Sequence, residues 1–246
     1  MPALHTPARG LQFILACLLP LICTADDDVK HSRLQMIELI RDDVDRTSLY
    51  LDKEALDPKV LRVMGETPRH RFVPSDLHNQ AYENRPLPIG HGQTISQPYI
   101  VAIMTDLVAP KATHKALEIG TGSGYQAAVL SQLVDMVFTM EVIEPLGKQA
   151  TQRLAQLGYD NIEVDIADGY FGWEIEAPFD IIVVTAAASH VPPPLIKQLK
   201  PGGRMIIPVG SRFMTQQLLL INKDLKEKIT VRQILPVRFV PLTGDH

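Results

Sequence analysis

Four groups of residues in this chain have the types and the spacing to do chemistry. Leu117-Glu118-Ile119-Gly120-Thr121-Gly122-Ser123-Gly124-Tyr125 is an apolar run entering a turn with glycine at alternate positions. Glycine lets a backbone fold tightly against a ligand where a Cβ would clash. The N–H groups that open the following helix are then free to meet that ligand. Glu141 lies 21 residues beyond Gly120, at the end of the next apolar run. That is near the ~20-residue spacing at which α/β nucleotide folds set an acid on ribose hydroxyls. Asp168-Gly169 and Thr185-Ala186-Ala187 close the two apolar runs after that. The fourth group is Gln93-Thr94-Ile95-Ser96-Gln97-Pro98, which brings one hydroxyl, Ser96, close to the glycine turn in sequence. The first three groups predict a nucleoside-containing cofactor.

Glycine spacing and charge narrow the choice. Dinucleotide sites use G-x-G-x-x-G and face a pyrophosphate. Here the pattern is G-x-G-x-G, with Glu118 two residues ahead. A carboxylate there repels phosphate and attracts a cation. S-adenosylmethionine carries a sulfonium and an ammonium and no phosphate. E-x-G-x-G-x-G followed by a ribose-binding acid resembles the first signature of class I methyltransferases. In that reading Glu118, Gly120, Gly122, Ser123 and Gly124 form the cofactor turn, and Glu141 accepts both ribose hydroxyls. Asp168 accepts from the adenine amino group, beside Gly169, and the small residues after Thr185 leave room for a reacting group. A nicotinamide dehydrogenase is disfavoured by the glycine spacing and Glu118.

These groups need elements to hold them. Apolar residues at three-to-four spacing over 30–49 predict an amphipathic helix, and Pro58 opens a second one that ends at Thr67-Pro68. Residues 69–98 are rich in Pro, Gly, His and Asn and predict a long functional loop, within which Arg85 to Gln93 can be neither helix nor central strand. From residue 99 strands and helices alternate: helices over 99–107, 125–133, 145–157 and 194–199, and strands over 116–119, 136–141, 162–166, 179–185 and 204–209. Lys200-Pro201-Gly202-Gly203 predicts a turn before the last of these strands, and residues 217–222 and 229–239 an antiparallel pair closing the sheet. The expectation is an α/β fold: a doubly wound, mostly parallel sheet of the class I methyltransferase (Rossmann-like) type with an N-terminal helical extension. The domains expected are a leader (1–28), helices with the substrate and cofactor loop (29–98), and the S-adenosylmethionine-binding domain (99–246).

Composition excludes other classes. The formal charge is −4 and no Lys/Arg run tracks phosphates, so no nucleic-acid partner is expected. Residues 11–23 are a 13-residue apolar run after Arg9, short of the ~20 a membrane span needs, and Cys23-Thr24-Ala25 supplies a small-residue exit. That reads as an export leader, yet S-adenosylmethionine is made in the cytosol and is charged. The expected location is therefore cytoplasmic, with a periplasmic or secreted form through residues 1–25 as the alternative. Both cysteines lie in the leader, so the body has no thiol nucleophile or thiolate metal site, and the histidines show no zinc-type spacing: no metal is expected.

Several segments together resemble protein-L-isoaspartate O-methyltransferases: Pro68-Arg69-His70-Arg71-Phe72-Val73-Pro74, Arg85-Pro86-Leu87-Pro88-Ile89-Gly90, Gln93-Thr94-Ile95-Ser96-Gln97-Pro98, the glycine turn, Asp168-Gly169-Tyr170-Phe171-Gly172-Trp173, Lys200-Pro201-Gly202-Gly203 and Val237-Arg238-Phe239-Val240-Pro241-Leu242. Order and spacing hold from about residue 58 to 243. The resemblance implies methyl transfer from S-adenosylmethionine to the free carboxylate of L-isoaspartyl residues, and more weakly of D-aspartyl residues, in aged proteins. The ester then collapses to a succinimide that partly reopens to aspartate. It implies Ser96 as the catalytic serine, Gln93, Thr94 and Ile95 as cofactor contacts, and Thr243 on the substrate side. The partners implied are damaged proteins and peptides; a monomer without stable membrane association is expected. Residues 45–57 look longer than the family's usual link between its first two helices, and Ala167 replaces a common glycine. A methyltransferase for another carboxylate or small molecule, and a non-catalytic cofactor-binding module, are the alternatives. No general base stands out in the motif loops, which suits a nucleophile that is already ionised.

Overall fold

The computed structural model describes residues 25–211 and 214–244. Most of the expected leader lies outside the described residues; its last four, Ala25 to Asp28, form the first turn of helix α1 (Ala25–Leu51). Helix α2 (Pro58–Glu66) starts as its sequence dictates: Asp57 accepts from the Lys59 N–H, and proline takes the first helical position.

The centre is a seven-stranded sheet in the order β5-β4-β3-β6-β7-β8-β9. Its strands are β3 (Lys115–Ile119), β4 (Met136–Met140), β5 (Ile162–Asp165), β6 (Phe179–Val184), β7 (Leu199–Val209), β8 (Gln216–Lys223) and β9 (Ile229–Val237). Strands β5 to β7 run parallel, and β8 and β9 close the sheet antiparallel, as expected. The apolar runs of β3, β4 and β6 are buried along nearly their whole length, as central parallel strands covered on both faces must be. Helices α3 (Pro98–Leu107), α4 (Tyr125–Ser131), α5 (Glu144–Gln156) and α6 (Pro193–Gln198) are the other α-helices among the described residues. In α5, Leu146, Ala150 and Leu154 recur every four residues and form its buried stripe.

One face of the sheet shares a core with the N-terminal helices: Met36 and Ile40 of α1 and Val63 of α2 join Ile181, Ile206 and Leu218. The other face packs Leu117, Ile182 and Met205 against Leu195. Chain order diverges between β3 and β6, β3 leading outward to β4 and β5 while β6 leads outward to β7. The carboxyl ends of β3 and β6 therefore frame the crevice where such folds hold ligands.

Three local expectations are revised. The long loop carries a small antiparallel hairpin, β1 (Leu87–Gly90) with β2 (Gln93–Ile95), separate from the main sheet. Its connection is His91-Gly92, both at positive φ, the backbone of a tight two-residue hairpin turn. Lys200-Pro201-Gly202-Gly203 is not a turn ahead of β7; it lies within the strand as an irregularity in its pairing with β6. Residues 45–51 are helical, so the link between α1 and α2 is only residues 52–57.

That short link is fastened to α3. Asp106 is buried; it accepts from the Asp57 N–H at 2.6 Å and pairs with Lys53. Removing a buried charged acceptor leaves its donors without a partner, at a cost of about 1.5–3 kcal/mol. Asp106→Ala is expected to lower the unfolding free energy by that amount, seen as a lower denaturant midpoint at unchanged m. An unchanged midpoint would show that the link does not depend on Asp106.

Candidate active site

The carboxyl ends of β3, β4 and β6 converge on the glycine turn. Gly120 has φ +95°, and a Cβ there would lie 2.5 Å from the Thr185 hydroxyl oxygen. That oxygen is 2.6 Å from the Gly120 carbonyl and 2.9 Å from the Ile119 carbonyl, to which it can donate. Thr185, the first residue after β6, thus clamps the end of β3 by occupying the space a side chain would need.

Glu141, the first residue after β4, is buried. Its Oε2 accepts from the Gly122 N–H at 2.7 Å and its Oε1 from the Ile143 N–H at 2.9 Å. One carboxylate thereby ties the turn after β3 to the turn after β4. Each oxygen keeps lone-pair capacity for a further hydrogen bond, the requirement for holding two ribose hydroxyls.

Glu118 sits deeper, with no exposed surface. The Thr139 hydroxyl lies 2.5 Å from its Oε2, and the Thr121 hydroxyl is 2.7 Å from that of Thr139. Its Oε1 is buried without a protein partner. Burial pushes its pKa up to about 8, opposed by the Thr139 hydrogen bond and assisted by the nearby Glu141 charge. A buried acid with an unused oxygen beside a glycine turn is poised to receive a cationic donor.

Three adjoining cavities meet here. One is lined by Gln93, Thr94, Gly120, Gly122, Glu141, Gly169 and Thr243. A second is lined by Thr94, Ile95, Ser96, Glu118, Gly120, Ser123 and Tyr125. The third, of about 400 Å³, holds Ser96, Gln97, Ile100, Arg238 and Phe239. Thr94 and Thr185 line all three, so the acids and Ser96 face one continuous space. Of the expected site residues, Gly124 is placed at the N-cap of α4 with φ +87°, shaping the turn. Asp168 accepts from the Tyr170 N–H at 2.9 Å, and Gly244 lies so close that a Cβ there would be 2.1 Å from its Oδ2. Thr243, expected on the substrate side, lines the Glu141 cavity and not the Ser96 cavity. The segment before it is held by hydrogen bonds from the Ala187 N–H to the Val240 carbonyl and from the Leu242 N–H to the Ala187 carbonyl, both 2.8 Å.

Ser96 leaves the hairpin and precedes Gln97, the N-cap of α3. Its hydroxyl has no hydrogen-bond partner among the described residues, and no histidine or carboxylate lines its 400 Å³ cavity. Its carbonyl is held instead: the Arg69 Nη2 donates to it at 2.7 Å, while Arg69 Nε donates to the Ala81 carbonyl at 2.7 Å. Arg69 is fully buried, and its guanidinium lies 4.7 Å from the Tyr125 ring centroid.

Sequence comparison agrees with this geometry. The sequence model of protein-L-isoaspartate(D-aspartate) O-methyltransferases matches residues 48–246. Protein-L-isoaspartate O-methyltransferase 2 of Polaromonas sp. is 63% identical over 211 residues, which is 86% of this chain and 100% of that one. Protein-L-isoaspartate O-methyltransferase 1 of Cupriavidus necator is 57% identical over 100% of this chain and 93% of its own. A solved protein-L-isoaspartate O-methyltransferase structure superposes with TM-score 0.74 at 26% identity, over 87% of this chain and 66% of that one. The chain belongs to the protein-L-isoaspartate(D-aspartate) O-methyltransferase family. Its fold is that of the class I methyltransferases, and its cofactor is S-adenosylmethionine.

In this methyltransferase, several residues of the site carry no spacing signal in the sequence. Thr139 is one hydroxyl within an apolar strand, and Arg69 stands in a short basic run that reads as solvated surface. The Thr185 clamp was legible only as a small-residue turn.

The Glu118 acid yields a pH test. Its folded pKa, about 8, exceeds the ordinary 4.5. Such a group's stabilising contribution is whole below the unfolded pKa and is lost as pH rises through the folded one. Cofactor-free protein is therefore expected to lose stability between about pH 4.5 and pH 8 through Glu118. Glu118→Gln should remove that component, so the variant gains on the wild type as pH rises. Parallel stability curves over this window would refute the assignment.

Proposed function

We propose that the site transfers the methyl group of S-adenosylmethionine to the free carboxylate of L-isoaspartyl residues, with Ser96 as the residue that positions that carboxylate. The observation that carries this reading is the shared wall of Thr94 and Thr185 between two unlike spaces. One offers acids and free backbone groups to a cationic nucleoside. The other offers an unpartnered hydroxyl in a cavity whose lining has no histidine or carboxylate.

That division suits the reaction. A carboxylate oxygen attacks the methyl carbon, the carbon–sulfur bond breaks, and its electron pair remains on sulfur. The products are a methyl ester and a neutral thioether, and no proton moves. The protein has to bring oxygen and carbon into line ~3–3.5 Å apart. Ser96 donates one hydrogen bond to the carboxylate and so fixes its direction. Gln97 and Ile100 place the N-terminus of α3 along the same cavity, where its dipole favours an anion.

On the cofactor side, Glu141 accepts from the ribose hydroxyls, Glu118 faces the cationic methionine end, and Asp168 with Gly169 meets the adenine. Gln93, Thr94, Ile95 and Ser123 complete the contacts around the glycines Gly120, Gly122 and Gly124. Residues 29–98 then act as the cover that brings Ser96 and the hairpin to the S-adenosylmethionine-binding unit of residues 99–246. The substrates are damaged proteins and peptides. The protein works as a cytoplasmic monomer, without nucleic acid or stable membrane attachment. Among the described residues no helix is long and apolar enough to cross a membrane. A mature chain recovered outside the inner membrane, starting near Asp26, would overturn the location, and a dimer in light scattering would overturn the stoichiometry.

The decisive assay is methylation of an isoaspartyl peptide beside the matching aspartyl peptide. The isoaspartyl peptide should be preferred at least a hundredfold, about 2.7 kcal/mol of transition-state discrimination. Equal rates would remove the repair reading and keep a methyltransferase of other specificity. Ser96→Ala should lower kcat by roughly ten- to a thousandfold while barely changing cofactor affinity.

Glu141→Ala should raise the Kd for S-adenosylhomocysteine about ten- to a hundredfold, the loss of hydrogen bonds to a charged acceptor. Calorimetry in buffers of different ionisation enthalpy adds a readout for Glu118. Below pH 8 S-adenosylmethionine should displace a proton as the carboxyl ionises against the cation, and Glu118→Gln should abolish that release. Proton release unchanged in the variant would place the cation elsewhere.

A further inference from the structure

The 400 Å³ cavity beside Ser96 has one formally charged residue among those that line it, Arg238; the rest are hydroxyl, amide and apolar groups such as Thr94, Gln97 and Phe239. Arg238 is exposed, and among the described residues its guanidinium has no hydrogen bond or ion pair. The main chain beneath it is pinned. The Phe239 N–H donates to Gln216 Oε1 at 2.7 Å, and Gln216 Nε2 donates to the Phe239 carbonyl at 3.2 Å. Gln216 is itself buried, and Val237 on the other side of Arg238 pairs with it at the end of β9. The site therefore presents a cation on a fixed base at the edge of a neutral cavity. A guanidinium whose donors are all unused matches a carboxylate in a two-point fork.

The reacting carboxylate has a different place. It must lie beside Ser96 and the methyl group, shielded from water, and a full ion pair there would hold back the electron pair that has to attack. An exposed guanidinium at the rim suits a second anion on the substrate.

We propose that Arg238 is a specificity-determining residue that selects isoaspartyl sites flanked in the chain by an acidic side chain. The assignment rests on the reading that this cavity takes isoaspartyl peptides. Arg238 contributes to capture, so its effect falls on KM and on the rate of encounter, and it weakens with salt.

The test uses isoaspartyl hexapeptides that differ only in carrying Glu or Lys at one flanking position, with each flanking position tried in turn. At low ionic strength the wild type should turn over the Glu peptide with kcat/KM about three- to tenfold above the Lys peptide at one position or more, the range of exposed charge pairs. Arg238→Gln should bring the ratio to about one, Arg238→Glu should invert it, and 0.5 M salt should flatten all three. Both variants change an exposed side chain, and their melting temperatures and S-adenosylhomocysteine affinities should match the wild type. Ser96→Ala should lower both peptides alike and leave the ratio intact. A wild-type ratio that survives in Arg238→Gln, or an equal kcat loss on both peptides in that variant, overturns the assignment while methylation itself stands. Failure of the wild type to methylate any of the peptides overturns the isoaspartyl reading together with it.

Discussion

The site depends on a buried cation without a counter-ion. Arg69 has no exposed surface and, among the described residues, no carboxylate partner; two backbone carbonyls, Ala81 and Ser96, and the face of Tyr125 receive it instead. Desolvation holds its pKa below the ordinary arginine value. Burying a charge is costly unless its donors are satisfied, and one of its nitrogens, Nη1, has no partner. What that cost secures is registration. Ser96 lies at the end of the hairpin, and Tyr125 opens α4 straight after the glycine turn. The same guanidinium touches both, so the hydroxyl and the cofactor turn are set against each other by one rigid planar group. A lysine has a point charge and cannot span the three contacts.

The two acids of the site show how neighbours assign different roles to one functional group. Glu141 receives two backbone N–H groups, which makes it a structural tie between two turns. Glu118 has a single hydroxyl donor and complete burial, which suits a carboxyl that changes charge when a cation arrives. Only Glu141 joins two turns, so its removal disturbs geometry as well as binding. Glu118 feels the Glu141 charge, but its own burial is the larger cause of its raised pKa.

Legibility in the sequence followed the range of the interactions. The parallel strands announced themselves because a strand buried on both faces must be largely apolar, and Ile181–Val184 is continuously so. The glycine turn was legible because a positive φ and a close approach leave glycine as the residue that fits, as the Gly120–Thr185 contact shows. The hairpin gives little strand signal because its strands are three and four residues long and β1 carries a proline, although His91-Gly92 is a usable turn signal. The 200–203 irregularity was read as a turn because Pro-Gly-Gly marks turns far more often than strand bulges. Arg69 could not be ranked from sequence at all. Its partners lie 12, 27 and 56 residues away, and two of them are backbone carbonyls, which any residue type supplies.

The lack of a histidine or carboxylate in the 400 Å³ cavity beside Ser96 becomes intelligible from charge balance. Methyl transfer to a carboxylate joins an anion to a sulfonium and leaves two neutral products. Strong cations beside the nucleophile or strong anions beside the sulfur would stabilise the reactants more than the transition state, and catalysis gains only from the difference. A site for this reaction should therefore keep its formal charges away from the reacting atoms and rely on orientation. Neutral Thr94 and Thr185 are shared by all three cavities, and Ser96 by two of them. The acids line the cofactor side and Arg238 the outer cavity. Arg69 acts through carbonyls and an aromatic ring and lines none of the three cavities. Charges kept to those walls can choose the ligands without damping the step between them.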